Sequence, residues 1–430
     1  MKTGFSTLAL SLALWGVAAP SALAQQSGNS FFRSRHVAVT ERPQPAFDPE
    51  TVRVGSLDVN SSLGLGARYS DNIYAQENGA VGDTVLTVAP QLTANTNWSV
   101  HALSAGLSAE HRSYVEQDTE TATDSSAFVG GRLDVTRDFS FGGTVTGGRF
   151  TEQRNAPASQ SNAAEPTEYA IFGAEVSADF QRDRIAVVAR LGQSQNDFDD
   201  VAAFRDPTAP TVPVPRLDQD FRDHTQTYIN GRASYATSPD LAVFVQGDVT
   251  EIDFDDRGSV ANPDRDATRT NVQAGVDFEF GAPFRGDIAV GYIQEEKKSR
   301  VNADGLSVNA TLKWFPTQLT TVTFSGLRSI YDPGLAQSAT VTNTSLSVRG
   351  DHELLRNVLL FWEARGTQDE FQDIDRQDDR FDFSAGVGYK LNRNARIEAA
   401  FTRRSQDSSG VNRDRSFDEN IIGVTLRLYP

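Results

Sequence analysis

Residues 57–70 read LDVNSSLGLGARYS, and their side chains alternate between two kinds along the whole stretch. One kind is mostly apolar, and the other is polar or glycine. A β-strand points successive side chains to opposite sides, so a period of two predicts a strand with one apolar face and one polar face. The first face carries Leu57, Val59, Ser61, Leu63, Leu65, Ala67 and Tyr69, and the second carries Asp58, Asn60, Ser62, Gly64, Gly66 and Arg68.

The same alternation recurs to the end of the chain, and many segments exceed the strand of about 5–6 residues that is typical of soluble proteins. A strand that crosses an outer membrane needs about 9–11 residues. The pattern is least regular at 139–153, at 319–331 and at 98–114, where its phase slips near Ala102. We predict eighteen strands, with sixteen as the alternative, at 55–70, 84–96, 98–114, 125–137, 139–153, 167–181, 184–197, 222–236, 240–254, 268–280, 285–297, 303–315, 319–331, 338–352, 357–371, 378–391, 395–404 and 416–429.

The connections between these strands alternate between long and short. The long ones are acidic and rich in Asp, Asn, Gly and Pro, as in 198–221. Outer-membrane barrels alternate in this way, with tight periplasmic turns and larger outside loops. An even number of strands would place both termini in the periplasm. The predicted fold is therefore an all-β, transmembrane, antiparallel up-and-down β-barrel over residues 55–430.

The composition excludes several classes of protein. The chain has 430 residues, no Cys and a formal net charge of −17. Without Cys it forms no disulfide, thiolate zinc site or iron–sulfur cluster. An excess of acidic residues argues against a nucleic-acid binder, which needs basic patches to neutralise phosphates. We expect no cofactor and no nucleic-acid partner.

Residues 1–24 have the pattern of a secretory signal peptide. Lys2 supplies the positive start, an apolar stretch follows, and Ala22-Leu23-Ala24 resembles a cleavage site. Residues 25–54 are polar and rich in proline, which predicts a periplasmic tether or plug ahead of the barrel. Export without a helical membrane anchor predicts the outer membrane of a Gram-negative bacterium as the location.

The end of the chain fits an outer-membrane assembly signal, a glycine followed by two hydrophobic positions. Gly423, Leu426 and Leu428 have this spacing, although Tyr429 and Pro430 depart from the usual ending. This pattern predicts the barrel assembly machinery as a partner. The aromatic residues near the predicted turns suit contact with lipid and lipopolysaccharide. The oligomeric state is left open.

Charged residues recur on the predicted polar faces, which would line the lumen. Arginines and carboxylates there can form ladders across neighbouring strands. Such pairs either brace the wall or set the selectivity of a polar conduit, and both roles are compatible. The candidates are Arg68, Arg132, Arg190, Arg232, Arg349, Glu363, Arg365, Asp382, Arg396 and Glu398.

Catalytic motifs are absent from the sequence. There is no G-x-S-x-G, phosphate-binding loop or H-E-x-x-H, and the five histidines show no metal-ligand spacing. His224 near Asp220 and Asp223 leaves a hydrolytic enzyme as a remote alternative. Acidic pairs such as Asp199-Asp200 could bind Ca²⁺, although runs of this kind are more often solvated. We expect neither catalysis nor a metal site.

The stretch from Val39 to Tyr74 resembles the beta-barrel porin 2 family. The family pattern there is Arg-Pro-x-Pro-x-aromatic-Asp-Pro, then an Arg-x-Gly lead into the first strand and an Asp-Asn-aliphatic-aromatic tip. This chain has Arg42, Pro43, Pro45, Phe47, Asp48 and Pro49, then Arg53-Val54-Gly55, then Asp71-Asn72-Ile73-Tyr74. By themselves, Asp71 and Asn72 suit a turn or a loop contact, and the proline-rich motif suits a rigid spacer or a docking segment.

The resemblance implies an outer-membrane barrel with a role in exopolysaccharide secretion, since such genes often lie beside polysaccharide export genes. Polysaccharide and periplasmic export proteins would then be partners. A general or solute-selective diffusion porin suits the polar lumen equally well. An outer-membrane enzyme and a structural or adhesive surface barrel are the remaining alternatives.

Overall fold

The computed structural model describes residues 36–160, 162–204, 214–256, 264–280 and 283–430. The predicted signal peptide, residues 1–24, lies outside these ranges, as do residues 25–35 of the segment that follows it. No helix in the described ranges is long and apolar enough to cross a bilayer.

The described chain forms one closed antiparallel barrel of eighteen long strands. Each long strand pairs with the next long strand along the chain, and the last pairs with the first, so that no edge is left open. Three further strands, β1, β9 and β10, are only two or three residues long. The strands are β1 (Val52–Val54), β2 (Leu57–Ser70), β3 (Asp83–Thr96), β4 (Ala102–Tyr114), β5 (Ala122–Asp134), β6 (Phe139–Thr151), β7 (Glu168–Arg182), β8 (Ile185–Phe198), β9 (Val201–Ala202), β10 (Arg216–Leu217), β11 (His224–Ser238), β12 (Leu241–Phe254), β13 (Ala267–Phe280), β14 (Phe284–Lys297), β15 (Ala303–Thr317), β16 (Thr320–Tyr331), β17 (Val341–Leu355), β18 (Val358–Phe371), β19 (Gln377–Lys390), β20 (Ala395–Ser409) and β21 (Phe417–Leu428).

The barrel closes where β21 pairs with β2, from Leu63 opposite Leu428 to Ser70 opposite Ile421. We call this pairing the seam. The first residues of β2 pair with β1 instead, through a tight turn in which Gly55 has φ +61°. Glycine suits this turn because it adopts a positive φ without steric cost.

The eighteen strands predicted from the alternation are confirmed, and so is the alternation of long and short connections. Several boundaries are wrong by three residues or more, and two differ most: the strand predicted at 395–404 continues to Ser409, and the strand predicted at 98–114 begins at Ala102. Residues 97–101 form a turn in which His101 has φ +63°. Its backbone N–H donates to Asp134, whose own N–H donates to the His101 ring. The slip in the sequence pattern marks the point where the chain leaves this turn.

The two faces of the wall differ as the sequence predicts. Phe172, Val176 and Leu346 point outward, and each is more than half exposed. Apolar exposure on this scale suits a surface that meets lipid. Apolar packing inside is limited to small clusters, such as Ile252 with Phe254 and Ala267 near the long loops. The opposite, inner face carries the charged and hydroxyl side chains.

Candidate functional site

The inner face carries a ladder of charges between β17 and β19. Glu363 lies in register with Arg349 on one neighbouring strand, and Arg365 lies in register with Asp382 on the other. Glu363 accepts from Arg365 at 2.8 Å and lies 3.5 Å from Arg349. Arg349 also pairs with Asp351 at 2.9 Å. The structure thus brings together four of the residues predicted to line the lumen.

The ladder continues across β20 to the seam. Arg404 lies 4.0 Å from Asp382 and 3.2 Å from Glu419 of β21. Glu419 then accepts a hydrogen bond of 2.7 Å from Ser70 on β2. Each of these three contacts joins two neighbouring strands. They therefore stabilise the pairing of β19, β20, β21 and β2, and they also make the inner face polar.

Charged pairs also line the opposite half of the barrel. Arg232 contacts Asp277 at 2.6 Å and lies 3.5 Å from the centre of the Phe244 ring. Arg190 lies 3.7 Å from Glu175, which also accepts from the Tyr228 hydroxyl. The inner face is therefore charged all round, with both signs in contact.

The remaining predicted residues share the inner face without joining this ladder. Arg132 pairs with Asp134 at 2.9 Å near a short turn. Arg68 lies opposite Gly423, where a β-carbon would lie 3.0 Å from the Arg68 β-carbon. Glu398 lies in register with Thr425. Arg396 pairs with Asp48, a residue outside the barrel wall.

Residues 36–50, which we call the strap, contact the inner face at the end of the short turns. Glu41 bonds to Lys313 and to Arg285, the latter at 3.2 Å. The N–H of Val39 donates to Thr321, and the His36 ring stacks on Phe315 with 5.3 Å between ring centres. These partners lie on β14, β15 and β16, each close to its short turn.

The far half of the strap contacts the next strands round the barrel. Arg42 bonds to Glu353 of β17 at 3.1 Å. Asp48 lies 3.6 Å from both Lys390 and Arg396, and Gln44 accepts from Lys390 at 2.7 Å. Beyond it, Glu50 pairs with Arg393 in the turn between β19 and β20. The strap therefore runs along the wall from β14 to β20.

The proline-rich motif shapes the strap into a tight turn. The N–H groups of Phe47 and Asp48 both donate to the Gln44 carbonyl at 2.8 Å. The Asp48 carboxylate accepts in return from the Gln44 N–H. Pro43, Pro45 and Pro49 restrict the backbone on both sides of this turn. Arg42 and Asp48 of the family motif both contact the wall.

A cavity of about 350 Å³ lies between the strap and the wall. The strap contributes Thr40 and Glu41 to its lining. The wall contributes charged and hydroxyl groups, namely Lys313, Thr321, Thr323, Arg349 and Asp351. The lining is thus polar on both sides.

The long loops meet at the other end of the barrel. Arg222 pairs with Glu152 at 2.6 Å, and Arg154 pairs with Glu120, with all four side chains less than 9% exposed. A β-carbon on Gly334, whose φ is +74°, would lie 3.0 Å from Arg222. Loops from distant parts of the barrel rim are therefore tied to one another.

Five of these loops surround a pocket of about 610 Å³. They are the loops after β6, β8, β16, β18 and β20. The lining includes Phe221, three arginines and several amide side chains. Because these loops come from widely separated positions on the rim, the pocket lies over the lumen.

The Asp71-Asn72 motif lies at the end of the seam. Asp71 accepts from both the backbone and the side chain of Asn420 on β21. Asn72 is 2% exposed, donates to the carbonyls of Gln76 and Asp418, and accepts from the Gln76 N–H. The motif forms a turn and joins it to the last strand at the same time. Sequence reasoning proposed the turn and missed the contact with β21.

His224 has no carboxylate among its hydrogen-bond partners in the described part of the chain. Its Nδ1 faces the Arg222 carbonyl at 2.6 Å, and its Nε2 faces the amides of Asn196 and Gln226. Asp223 accepts from the Phe198 N–H instead. This arrangement is that of a buried structural histidine and differs from a hydrolytic dyad.

An acidic cluster lies in the loop between β8 and β11. Carboxylate oxygens of Asp200, Asp218 and Asp220 lie within 4.8 Å of one another. Burial and the neighbouring carboxylates of Asp200 and Asp218 raise the pKa of Asp220. The Gln219 N–H donates to Asp200.

The predicted assembly signal divides between the two faces of β21. Leu426 and Leu428 have the parity of the exposed Val424 and face outward. Gly423 faces inward beside Arg68. Two apolar side chains on the lipid side of the final strand suit insertion into a membrane.

Comparison with known proteins gives one matching family and several similar solved structures. The model of a family described as putative beta-barrel porin 2 matches residues 44–429. The chain is similar to OccK2 (OpdF) of Pseudomonas aeruginosa, at 11% identity and a TM-score of 0.48 over 86% of this chain and 98% of that one. It is also similar to a BenF-like porin of Pseudomonas fluorescens Pf-5, at 11% identity and a TM-score of 0.46 over 87% and 99%. No curated protein matches the sequence.

Proposed function

The chain belongs to the putative beta-barrel porin 2 family, and on this basis we propose that it is an outer-membrane conduit through which exopolysaccharide leaves a Gram-negative cell. Its short turns and both termini would face the periplasm. The observation that supports the proposal is the inner face, where arginines, carboxylates and hydroxyls alternate round a closed wall, as in Arg349, Glu363 and Arg365. Glycan hydroxyls can exchange hydrogen bonds along such a surface without a strong binding site.

The size of the barrel supports the same proposal. A barrel of about 16–18 strands is wide enough for an aqueous channel unless other parts of the chain fill it. Here the strap lies at one end and the long loops at the other. Passage of a polymer would require these segments to move aside, whereas the wall itself stays closed.

The experiment is a clean deletion of the gene with complementation. We expect surface exopolysaccharide to fall and polysaccharide to accumulate inside the cell, and the intact gene to restore export. A heat-modifiable gel shift of the complementing protein serves as the control for a folded barrel. Normal surface polysaccharide in the deletion strain would contradict the export role.

A solute-selective diffusion porin is the second candidate. It is favoured by the cavities of about 350 and 610 Å³ at the two ends, which are of the size that binds small ligands. Swelling of liposomes that contain the purified protein would test this candidate. Uptake of mono- and disaccharides together with unchanged exopolysaccharide in the deletion strain would favour it.

A further inference from the structure

Two pairs of like charges lie in register beneath the strap. Arg285 on β14 is opposite Lys313 on β15, and Lys390 on β19 is opposite Arg396 on β20. Like charges directly opposite one another destabilise a sheet. The chain has a net charge of −17 and only five lysines, and two of the five are in these pairs. With Arg393 in the adjoining turn, these residues form what we call the basic band.

Each like-charged pair shares one carboxylate from the strap. Glu41 bonds to both members of the first pair, and Asp48 lies 3.6 Å from both members of the second. The side chains of the four cations are 9–25% exposed, so the attraction is stronger than it would be at an open surface. Each pair therefore forms a receptor, a site in which two cationic side chains can both donate to one carboxylate.

The wall has few carboxylates of its own to neutralise the basic band. Asp351 pairs with Arg349, and Glu353 pairs with Arg42 of the strap. Glu279 lies in register with Arg285 at the edge of the band. If the strap moved away, five cations of the described chain would line this end of the barrel. Glu279 would face Arg285, and Glu353 would be released from Arg42.

We propose that the basic band binds a carboxylated saccharide chain, and that the strap occupies this site at rest by placing Glu41 and Asp48 where the carboxylates of the saccharide would bind. The inference deepens the proposed function, on which it rests, by naming the class of polymer. The hydroxyls of Thr40, Thr321 and Thr323 line the cavity next to Glu41 and can bond to the hydroxyls of a sugar ring. A ligand with both carboxylates and hydroxyls matches this lining.

The test is calorimetric binding of trigalacturonate to the purified full-length barrel in detergent, with neutral maltotriose as the reference probe. Two variants should shift the affinity in opposite directions. Glu41→Gln with Asp48→Asn removes the internal competitor, and we expect about tenfold tighter binding of trigalacturonate. Lys313→Gln with Lys390→Gln removes one donor from each receptor, and we expect about tenfold weaker binding.

Conductance in planar bilayers supplies the second measurement. Both double variants weaken the docking of the strap, so both should raise the single-channel conductance, although their affinities for trigalacturonate move apart. Arg182→Gln is the matched control, because Arg182 lies at the short turn after β7 with the parity of the outward Val176, lies 4.0 Å from Asp138 and Asp183, and has no contact with the strap among the described residues. It should leave both readouts unchanged. A heat-modifiable gel shift checks that each variant is folded.

Several results would overturn the inference. Unchanged affinity in the Lys313→Gln and Lys390→Gln variant would do so, as would equal binding of maltotriose. Tighter binding of a glutamate hexapeptide than of trigalacturonate would replace the saccharide with an acidic peptide. If the binding pattern appears but the deletion strain exports normal polysaccharide, the site stands and the export proposal fails. If the deletion strain loses export but the protein does not bind trigalacturonate, the export proposal stands and the carboxylated-saccharide site fails.

Discussion

Single residues at the seam stabilise the junction between the first and last strands, which lie at opposite ends of the sequence. Asn72 is the clearest example, because its buried amide bonds to the carbonyl of Asp418 and also closes its own loop through Gln76. Removing such a group leaves buried backbone partners without a hydrogen bond, which costs about 1–3 kcal/mol each. The Asp-Asn motif is thus informative about barrel closure.

We predict that Asn72→Ala lowers the free energy of unfolding by about 1–3 kcal/mol, because the Gln76 N–H and the Asp418 carbonyl lose their partner. Urea unfolding in lipid vesicles, followed by tryptophan fluorescence, measures the change. Asn60→Ala is the control, since the bond that Asn60 accepts from Thr51 is exposed. Equal losses for both variants would contradict a special role for the motif.

The stability of the folded barrel depends on pH through a second residue, Asp223. Burial, together with the carboxylates of Asp197, Asp220 and Asp255, raises the pKa of Asp223 to about 6, against the opposing hydrogen bond from Phe198. In the unfolded chain the pKa of Asp223 is near 3.8. The folded state therefore binds more protons than the unfolded state at pH values between the two pKa values. Stability therefore falls as the pH rises through this window, and the full penalty applies above about pH 6.

We predict that Asp223→Asn stabilises the barrel at pH 7.5 by about 1 kcal/mol, after allowance for solvent screening of this partly exposed group. Asparagine keeps an oxygen that can accept from the Phe198 N–H. The gain should disappear below about pH 4, where both side chains are neutral. Unfolding midpoints at pH 7.5 and pH 3.5 measure the gain in stability, with Asp183→Asn at an exposed position as the control. A gain that persists at pH 3.5 would rule out the electrostatic cause.

Among the elements, the strap differs from the strands because side-chain ion pairs, and not a backbone ladder, attach it to the wall. Burial raises the pKa of Glu41, but the hydrogen bonds and charges of Lys313 and Arg285 outweigh burial and lower it overall below 4.5. Arg349 and Asp351 also line the cavity next to Glu41 and pair with each other. Glu41 therefore helps to hold the strap at every pH above the usual titration range of Glu. This contribution is lost only as the pH falls below that range.

We predict that single-channel conductance, corrected for the conductivity of the buffer, is the same at pH 7 and pH 5 and rises only at pH values below the usual titration range of Glu, as Glu41 takes up a proton and the strap is released. Recordings in planar bilayers measure this change. Glu41→Gln should show a raised conductance already at pH 7 and a smaller step in acid. A step near pH 6 in the native protein would point to a different titrating group.

At the scale of the whole molecule, the barrel separates an outer face for lipid from an inner face for water. Exposure alone does not distinguish the two faces, because Leu346 points outward at 67% exposed and Leu327 points inward at 44% exposed. The register between β16 and β17 shows which side chains face the lumen. Leu327 is opposite Ser345, which has the parity of the inward Arg349, whereas Leu346 has the opposite parity.

We predict that Leu346→Arg destabilises the folded barrel by about 2–4 kcal/mol, because it places a charge in the hydrocarbon near the middle of β17. Leu327→Arg, the matched change on the inner face, should cost less than about 1 kcal/mol. Unfolding in vesicles and the heat-modifiable gel shift compare the two variants. Similar losses would mean that the faces are assigned wrongly.

The sequence predicted much of the fold and little of the site. The alternation in β2 identifies a strand because the period of two is a property of neighbouring residues. It also separated Glu363 and Arg365 from the lipid-facing residues, and so predicted that they share a face. It could not show that Glu363 contacts Arg349, because that contact depends on the register between strands. Nor could it show that Asp71 meets Asn420.

By itself, the sequence determined the strand number to within two, the approximate limits of the strands, the alternation of loop lengths and the two faces, since each of these is encoded in short stretches of chain. Only the tertiary structure decided which charges pair, that the Asp71-Asn72 motif joins the seam, and that Glu41 and Asp48 of the strap bond to the basic band. The seam and strap contacts join residues hundreds of positions apart, and the contact of Arg349 with Glu363 joins two different strands. They depend on strand register and on closure of the barrel, which no local pattern specifies.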